Sequence, residues 1–331
     1  MIQRPRRNRK SPAIRSLVRE NRVTTDDLIM PLFLVDKPNT NDIIPSLPVA
    51  RRQSLNAILK EVEECQSLGI RNYIMFPAVD EHLKDKKATY SYSDQNFYLK
   101  AAQRIKEQFP NITLISDVAM DPYNIDGHDG YVEGGKILND RSIDILIKMS
   151  VAQAEAGFDM LGPSDMMDGR VEAIREALDD EGFEEVNIMS YTAKYCSALY
   201  GPFRDALDSA PKAGDKKTYQ MDPANKREAL LEGILDDSEG ADFLMVKPAL
   251  HYLDIIHLLK TELQKPIAAY HVSGECAMLC AACQNGWLDY IAAMPETLLC
   301  LKRAGTDAII TYFAKDFALM ESGMKPLFLN K

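Results

Sequence analysis

Strand-like apolar runs alternate with helical patterns along the chain, and this alternation restricts the fold more than any other feature. Each run spans five to eight residues, and between the runs apolar residues recur at helical spacing, as in Leu55, Ile58, Leu59 and Val62. There are eight runs, at residues 28–35, 73–77, 113–120, 159–163, 186–191, 242–247, 266–272 and 308–313. Eight β–α units favour an α/β fold closed as a (β/α)8 TIM barrel over an open sheet.

Length and composition are compatible with one such barrel. The chain has 331 residues, of which 46% are hydrophobic and 27% charged, so it can bury a large core. No apolar run approaches the roughly 18 residues of a membrane span, and no membrane partner is expected. We assign residues 23–331 to the barrel, with a long polar loop at about 201–223 as a lid over the active site.

A lysine ends one of the buried runs. Four apolar residues precede Lys247, and Pro248 follows it and stops the strand. For most lysines the explanation is a packed stem whose ammonium group reaches water. The alternative is an amine desolvated for chemistry. Lys194 favours the second explanation, because it ends the preceding strand-like run in the same way.

Two lysines at one apolar pocket suggest carbonyl chemistry. An unperturbed lysine has a pKa near ~10.4, so about one in two thousand is a free amine at neutral pH. A decrease of roughly 3 pKa units costs about 4 kcal/mol, which desolvation and repulsion between two ammonium groups can supply. We therefore expect Schiff-base formation.

Other polar residues follow the predicted strands, at the barrel face that carries active sites. No glycine-rich phosphate loop, HExxH motif or paired-cysteine metal site is present, so no organic cofactor is expected. The CxxC at Cys280 and Cys283 has no second pair and is better explained by helix packing. The strand-end candidates are Asp117, Asp121, Asp129, Ser164, Asp165, Ser273 and Glu275.

Residues 1–22 form a basic segment on an acidic chain. They hold eight basic residues and one acidic residue, a net charge of +7, which leaves −17 for the remainder of a chain with net charge −10. Such a segment could bind nucleic acid, direct transport into an organelle, or dock on a neighbouring subunit. We favour an oligomerisation arm, because Arg22 runs directly into the first strand without a linker. Nucleic acid is then not an expected partner.

Six short motifs resemble one enzyme family. They are PSDMMDGRV at 163–171, SYTAKY at 190–195, YGPFR at 200–204, TYQMDP at 218–223, MVKP at 245–248 and VSGE at 272–275. Together they resemble the porphobilinogen synthase (5-aminolevulinate dehydratase) family over residues 4–312. The resemblance implies a TIM barrel with an N-terminal arm, assembled as a homo-octamer. It also implies condensation of two 5-aminolevulinate molecules into porphobilinogen, with loss of two waters, in tetrapyrrole synthesis.

The resemblance also implies residue roles. Lys247 would bind the substrate that becomes the propionate side, and Lys194 the one that becomes the acetate side, each as a Schiff base. Asp117 and Ser164 are the further catalytic candidates. Phe203 would cover the pocket. The candidate substrate-binding residues are Ser273 and Tyr312 for the propionate-side carboxylate, Arg204, Lys216 and Gln220 in the lid for the acetate-side substrate, and Tyr270.

The metal motif identifies the aspartate-type branch of the family. Zinc-dependent relatives carry cysteines where this chain has Ala119, Asp121 and Asp129, so no catalytic zinc is expected. Oxygen ligands favour magnesium or no tightly bound metal, and Asp121 and Asp129 are candidates for an active-site cation. Glu232 matches the family's allosteric magnesium position, near Asp165.

Two alternatives to this enzyme remain at the sequence level. A class I aldolase-like barrel would need one Schiff-base lysine and no basic lid, and an inactive barrel could act as a scaffold. Two lysines and a lid argue against both. A reducing cytoplasm fits the six cysteines, most of which lie within helical patterns.

Overall fold

The computed structural model describes residues 1–207 and 212–330, apart from the side chains of residues 205 and 330. Strand assignments agree with the eight predicted runs and add two hairpins. The strands are β1 (Leu28–Val35), β2 (Asn41–Ile44), β3 (Leu47–Gln53), β4 (Asn72–Ala78), β5 (Thr113–Val118), β6 (Tyr131–Glu133), β7 (Lys136–Leu138), β8 (Met160–Pro163), β9 (Asn187–Lys194), β10 (Phe243–Lys247), β11 (Ile267–His271) and β12 (Ala308–Thr311).

Eight parallel strands close into a barrel in the order β1, β4, β5, β8, β9, β10, β11, β12. The last strand pairs with the first, with Leu28 opposite Ile309 and Ile29 opposite Ile310. Closure leaves every barrel strand with two neighbours, and the predicted TIM barrel is confirmed. The antiparallel β2–β3 hairpin extends the sheet beside β1, and β6–β7 forms a separate hairpin.

Helices cover the outside of the barrel. Most follow a strand and return the chain to the start of the next one, as the helical spacing between the apolar runs predicts. The α-helices are α1 (Pro12–Leu17), α2 (Leu55–Ser67), α3 (Phe97–Gln108), α4 (Asn139–Glu155), α5 (Arg170–Asp180), α6 (Gly201–Leu207), α7 (Arg227–Ser238), α8 (Leu253–Glu262), α9 (Ser273–Gln284), α10 (Tyr290–Ala304) and α11 (Ala314–Glu321).

The barrel strands are buried on both faces. In β10, Leu244, Met245 and Val246 have no exposed surface, because one face meets the barrel interior and the other meets the surrounding helices. This explains why the runs are continuously apolar rather than alternating. It also places any polar group at the end of such a strand at the rim, where it can face the barrel opening.

The N-terminal segment extends from the barrel. A 3-10 helix at Pro5–Arg9 and helix α1 contain no buried residues, and Leu17 is 80% exposed. The segment has the form expected of an arm, and its role in assembly stays a prediction.

The segment predicted as a lid begins with α6 directly after Tyr200. Its residues 208–211 lie outside the described residues, and residues 212–221 pack over the end of the barrel. In the described part of the chain, no helix is long and apolar enough to cross a membrane.

Candidate active site

The two lysines are neighbours across the sheet. Strands β9 and β10 pair in parallel with Lys194 opposite Lys247, so both side chains start from the same level of the barrel. Both are the last residues of their strands and both are buried, although lysine is among the residues least often buried. The barrel therefore brings together the two amines that the sequence singled out.

Aromatic rings surround the Lys247 amine. Its Nζ lies 4.4 Å from the ring centroid of Tyr270, 4.9 Å from Tyr191, 5.2 Å from Phe203 and 5.5 Å from Tyr200. Burial removes water from the ammonium form and, with the nearby charge of Lys194, lowers the pKa of Lys247 to about 7. A large fraction of Lys247 is then a free amine at neutral pH, as a Schiff-base nucleophile requires.

Asp117 is a buried carboxyl group close to this amine. It lies at the end of β5, and burial raises its pKa to about 7, although the charge of Lys247 acts in the opposite direction. An acid and an amine that both titrate near neutrality can exchange a proton during the reaction. The structure therefore places Asp117 where a general acid or base would act.

Lys194 is held by two groups at the ends of neighbouring strands. Its Nζ donates a hydrogen bond to the backbone carbonyl of Ser164, which follows β8, and lies 3.7 Å from a carboxylate oxygen of Asp129. Ser164 thus contacts the amine through its main chain, which sequence reasoning did not anticipate. The predicted catalytic role of its hydroxyl stays a prediction.

Asp121 and Asp129 are paired with the lid residue Lys216. The Lys216 Nζ lies 3.1 Å from Asp121 Oδ2 and 3.0 Å from Asp129 Oδ2. Burial disfavours the ionised form of Asp129, but Lys194 and Lys216 outweigh it and hold its pKa below the usual range. Burial and the charge of Asp129 raise the pKa of Asp121. Burial opposes the charge on Lys216, yet the two carboxylates raise its pKa above normal.

The residues expected on the propionate side lie together near Lys247. The hydroxyl groups of Tyr270 and Tyr312 are 3.0 Å apart, and the Ser273 hydroxyl accepts a hydrogen bond of 3.0 Å from the backbone N–H of Phe203. The Phe203 ring also packs on Phe76 at a centroid distance of 5.1 Å. The Phe203 ring thus lies beside the Lys247 amine, and its role as a cover over bound substrate stays a prediction.

Two lid residues retain unused polar groups. Gln220 is buried, and its amide oxygen has no hydrogen-bond partner among residues 1–207 and 212–330. Within the same part of the chain, Arg204 is half-buried and forms no ion pair. The Arg204 guanidinium is available to donate hydrogen bonds to a substrate carboxylate, whereas the Gln220 oxygen can only accept a hydrogen bond.

Glu232 lies away from the lysine pair, on α7. With Asp168 and Glu228 it borders a pocket of about 960 Å³ between the lid segment and α7. Burial raises its pKa to about 7, opposed by the charge of Arg170. The same arginine forms a buried ion pair of 3.2 Å with Asp236 and lies 3.8 Å from Asp165.

Several functional contacts are not predicted by the sequence. Tyr191 and Tyr200 line the Lys247 pocket, although the motifs that contain them point only to their lysine, phenylalanine and arginine. Tyr219 and His128 join the lid to the loop after β5, with a distance of 3.1 Å between the Tyr219 hydroxyl and His128 Nδ1. Strict alternation would place Tyr191 and Lys194 on opposite faces of β9, and only the register irregularity between β9 and β10 brings both to the pocket. No local signal predicts the contact between residues 128 and 219.

Comparison with known proteins places this site in a family. The delta-aminolevulinic acid dehydratase family model matches residues 2–320. The delta-aminolevulinic acid dehydratase of Bradyrhizobium diazoefficiens is 51% identical over 312 residues, covering 94% of this chain and 88% of the relative. The chloroplastic enzyme of Oryza sativa subsp. japonica is 48% identical, covering 98% of this chain and 76% of the relative.

The chain belongs to the delta-aminolevulinic acid dehydratase family. A crystal structure of the Toxoplasma gondii ME49 dehydratase, in complex with the reaction product porphobilinogen, superposes with a TM-score of 0.95 at 50% identity. The alignment covers 97% of this chain and 92% of that one. The family, the function and the enzyme class that the six motifs predicted are confirmed, and neither the aldolase nor the scaffold alternative is favoured.

Proposed function

We propose that this dehydratase condenses two molecules of 5-aminolevulinate into porphobilinogen through Schiff bases on both Lys247 and Lys194. The proposal rests mainly on the paired, buried amines at the ends of β9 and β10. Each amine attacks a keto carbon of one substrate, and each resulting imine forms with loss of the keto oxygen as water. Two keto oxygens account for the two waters that the condensation releases.

Lys247 is the first nucleophile in this scheme. Its lowered pKa supplies free amine at neutral pH. The Lys194 Nζ is held by the Ser164 carbonyl and the Asp129 carboxylate, so it is less available for attack. Asp117 supplies or removes the protons that imine formation requires, because its pKa of about 7 keeps both of its forms populated.

The substrate carboxylates bind at opposite sides of the lysine pair. Tyr312 and Ser273, beside Tyr270, offer hydroxyl groups near Lys247 for one carboxylate. Arg204 takes the other, since its guanidinium forms no ion pair with other described residues, and Gln220 donates to it through its side-chain N–H. An arginine can bind a carboxylate with two parallel hydrogen bonds, which fixes the substrate's orientation.

Borohydride trapping tests the Schiff-base assignment. Reduction of the wild-type enzyme with 5-aminolevulinate should add a substrate-derived mass to the peptide that contains Lys247. Lys194→Met should retain this adduct but form no porphobilinogen, and Lys247→Met should lose both. An exposed lysine provides the matched control, and Lys100→Met should behave as the wild type. An adduct confined to lysines other than 194 and 247 contradicts the assignment.

Magnesium bound through Glu232 is proposed as an allosteric activator. The oxygen-rich pocket wall at Glu232, Glu228 and Asp168 suits this hard cation. Among the described residues no cluster of three or more ligand side chains is close enough to hold a metal directly. This arrangement fits an ion that keeps most of its water ligands, as magnesium does.

Metal removal and replacement test this site. Activity should survive a zinc-selective chelator, because the positions of the zinc cysteines hold Ala119, Asp121 and Asp129. Added magnesium should raise the activity of the wild type and of the exposed control Glu184→Gln, but not that of Glu232→Gln. Complete inhibition by the chelator, reversed only by zinc, contradicts the magnesium proposal.

A homo-octamer built through the N-terminal arm is the proposed assembly. The exposed apolar residues of α7 support it: Leu231 is 56% exposed and Ile234 is 50% exposed, on a helix flanked by carboxylates. The arm is basic and exposes the apolar side chains of Leu17 and Ile2, so it complements α7 in charge and can pack on its apolar residues.

The proposed location is the cytoplasm. The six cysteines are free, as expected in a reducing compartment. Plant relatives are named chloroplastic, which makes an organelle the competing location. Fractionation of the source cells tests the proposal, and the activity should appear in the cytosolic fraction.

A further inference from the structure

Three amines and three carboxyl groups lie close together in the candidate active site, and all except Asp121 are buried. They are Lys194, Lys216 and Lys247 and Asp117, Asp121 and Asp129, and charges within this set contribute to the pKa shifts of Asp117, Asp129, Lys216 and Lys247. Among these, Lys216 makes the shortest ion pairs, at 3.1 Å and 3.0 Å to Asp121 and Asp129. The negative charge of this carboxylate pair is therefore already balanced by protein groups.

A divalent ion does not fit between Asp121 and Asp129 as they are arranged. One oxygen of each carboxylate is hydrogen-bonded to the Lys216 ammonium. The Asp129 oxygen is also 3.7 Å from the Lys194 amine. An added metal ion would stand beside two ammonium groups in a site where like charges repel strongly.

We propose that the Lys216 ammonium is the resident cation of the Asp121–Asp129 pair, and that it enters the active site with the lid instead of being supplied by a metal. This replaces the expectation of an active-site metal at the two aspartates. The proposal uses the lid described above but does not depend on which lysine forms the first Schiff base.

Hydrogen bonds on both sides of Lys216 hold its segment of the lid against the loop after β5. His128 Nε2 lies 2.9 Å from the Ala213 carbonyl, and the Tyr219 hydroxyl accepts a hydrogen bond of 3.3 Å from the backbone N–H of Asp129. These contacts flank Lys216 on both sides in the sequence and fix the segment on the loop after β5. Lys216 is 6% exposed in this arrangement, so its charge has no water to compensate for loss of the carboxylates.

Manganese binding tests the proposal independently of activity. Free Mn²⁺ is measured by electron paramagnetic resonance after addition to metal-free enzyme, and the bound ions per chain are counted. Lys216→Met keeps the length of the side chain but removes its charge, and it should bind one more Mn²⁺ per chain than the wild type. Lys216→Met combined with Asp129→Asn should lose that additional ion.

Two control variants test whether any gain of Mn²⁺ is due to loss of the Lys216 charge and not to a general change in the lid. Lys217→Met alters the neighbouring lysine, whose side chain is 73% exposed, and should bind Mn²⁺ as the wild type does. Lys216→Arg keeps the positive charge and should gain no ion. Circular dichroism on every variant verifies that the barrel is folded.

Activity gives a second measurement. Loss of two charge-assisted hydrogen bonds should reduce the turnover of Lys216→Met by roughly 10-fold to 100-fold, with partial recovery on addition of methylammonium. The proposal is overturned if folded Lys216→Met gains no Mn²⁺, or if the wild type already binds an ion that Asp129→Asn removes. Failure of the Schiff-base scheme would appear separately, as loss of the borohydride adduct in the wild type.

Discussion

The chemistry of Lys247 depends on the groups that surround it. Four aromatic rings exclude water from its amine, and Lys194 adds a like charge from the neighbouring strand. Asp117, with Asp121 and Asp129, acts in the opposite direction and stabilises the ammonium form. The resulting pKa of about 7 is the balance of these contributions, and desolvation is the largest.

The rate of adduct formation should therefore depend on pH in a defined direction. Below a pH of about 7, Lys247 is protonated and cannot attack, and the rate should rise through this pH and level off above it. Lys194→Met removes the neighbouring positive charge, so the midpoint should move to higher pH. Rapid-quench trapping across a pH series measures the midpoint, with Lys100→Met as the control. An unchanged midpoint in Lys194→Met would show that repulsion between the lysines does not contribute.

Arg204→Ala should separate binding of the second substrate from capture of the first. The guanidinium is expected to bind a carboxylate with hydrogen bonds of about 1.5–3 kcal/mol, so its loss should raise KM by roughly 10-fold to 150-fold. Steady-state kinetics measures this change, and the Lys247 adduct should still form. Arg141→Ala, on an exposed ion pair with Glu133, is the matched control. Loss of both the adduct and turnover would indicate a different role for Arg204.

At the level of secondary structure, the candidate catalytic residues lie at or near the ends of barrel strands. β9 and β10 each end in a lysine, and β5 carries Asp117 near its end. Turns at the opposite face of the barrel serve the fold alone. One example is Gly305, which ends α10 with φ of 119°, a left-handed conformation that favours glycine.

Gly305→Ala should destabilise the barrel more than Gly286→Ala, because only the first substitution places a Cβ against a neighbouring side chain. A Cβ at Gly305 would lie 2.7 Å from Lys260 Cγ, whose side chain is held by Asp307, whereas a Cβ at Gly286, with φ of 71°, meets nothing within 4 Å. The left-handed conformation costs about 1–2 kcal/mol in either variant, and crowding should add about 1–3 kcal/mol for Gly305→Ala. Calorimetry of both variants measures the difference. Equal unfolding temperatures would show that Lys260 moves aside freely.

At the level of the whole molecule, the arm and the barrel differ in charge and in exposure. The arm carries +7 on residues without a buried side chain, and the rest of the chain is acidic. Exposed ion pairs contribute only about 0–1 kcal/mol each, so the apolar residues of the arm must supply much of any binding energy.

Deletion of residues 1–22 should give a smaller oligomer with reduced activity. The arm would lose its apolar contacts, worth about 1.5–3 kcal/mol for each large buried side chain. Size-exclusion chromatography with light scattering measures the mass. Leu17→Asp should act in the same direction, whereas Gln3→Asp makes a similar charge change at another exposed arm position and should have less effect. An unchanged oligomer after deletion would return the nucleic-acid and transport interpretations to consideration.

The sequence by itself determined the barrel and singled out the two lysines at its strand ends. Strand-like runs and helical spacing are local patterns, and a closed (β/α)8 barrel follows from their number. The same patterns place both lysines at strand ends, because Lys247 directly follows an apolar run and Lys194 follows a strand-like run by a few residues. The six motifs then identified the family, since each combines several functional residues within a few positions.

Only the tertiary structure decided what surrounds those lysines. The ion pair between Lys216 and Asp129 joins residues 87 positions apart, and the contact between Lys194 and Ser164 joins residues 30 positions apart. The packing of Tyr270 and Phe203 around Lys247 likewise depends on which strands become neighbours and how the lid docks. Local sequence patterns carry no information on such distances, because side chains far apart in the chain meet only when the barrel closes.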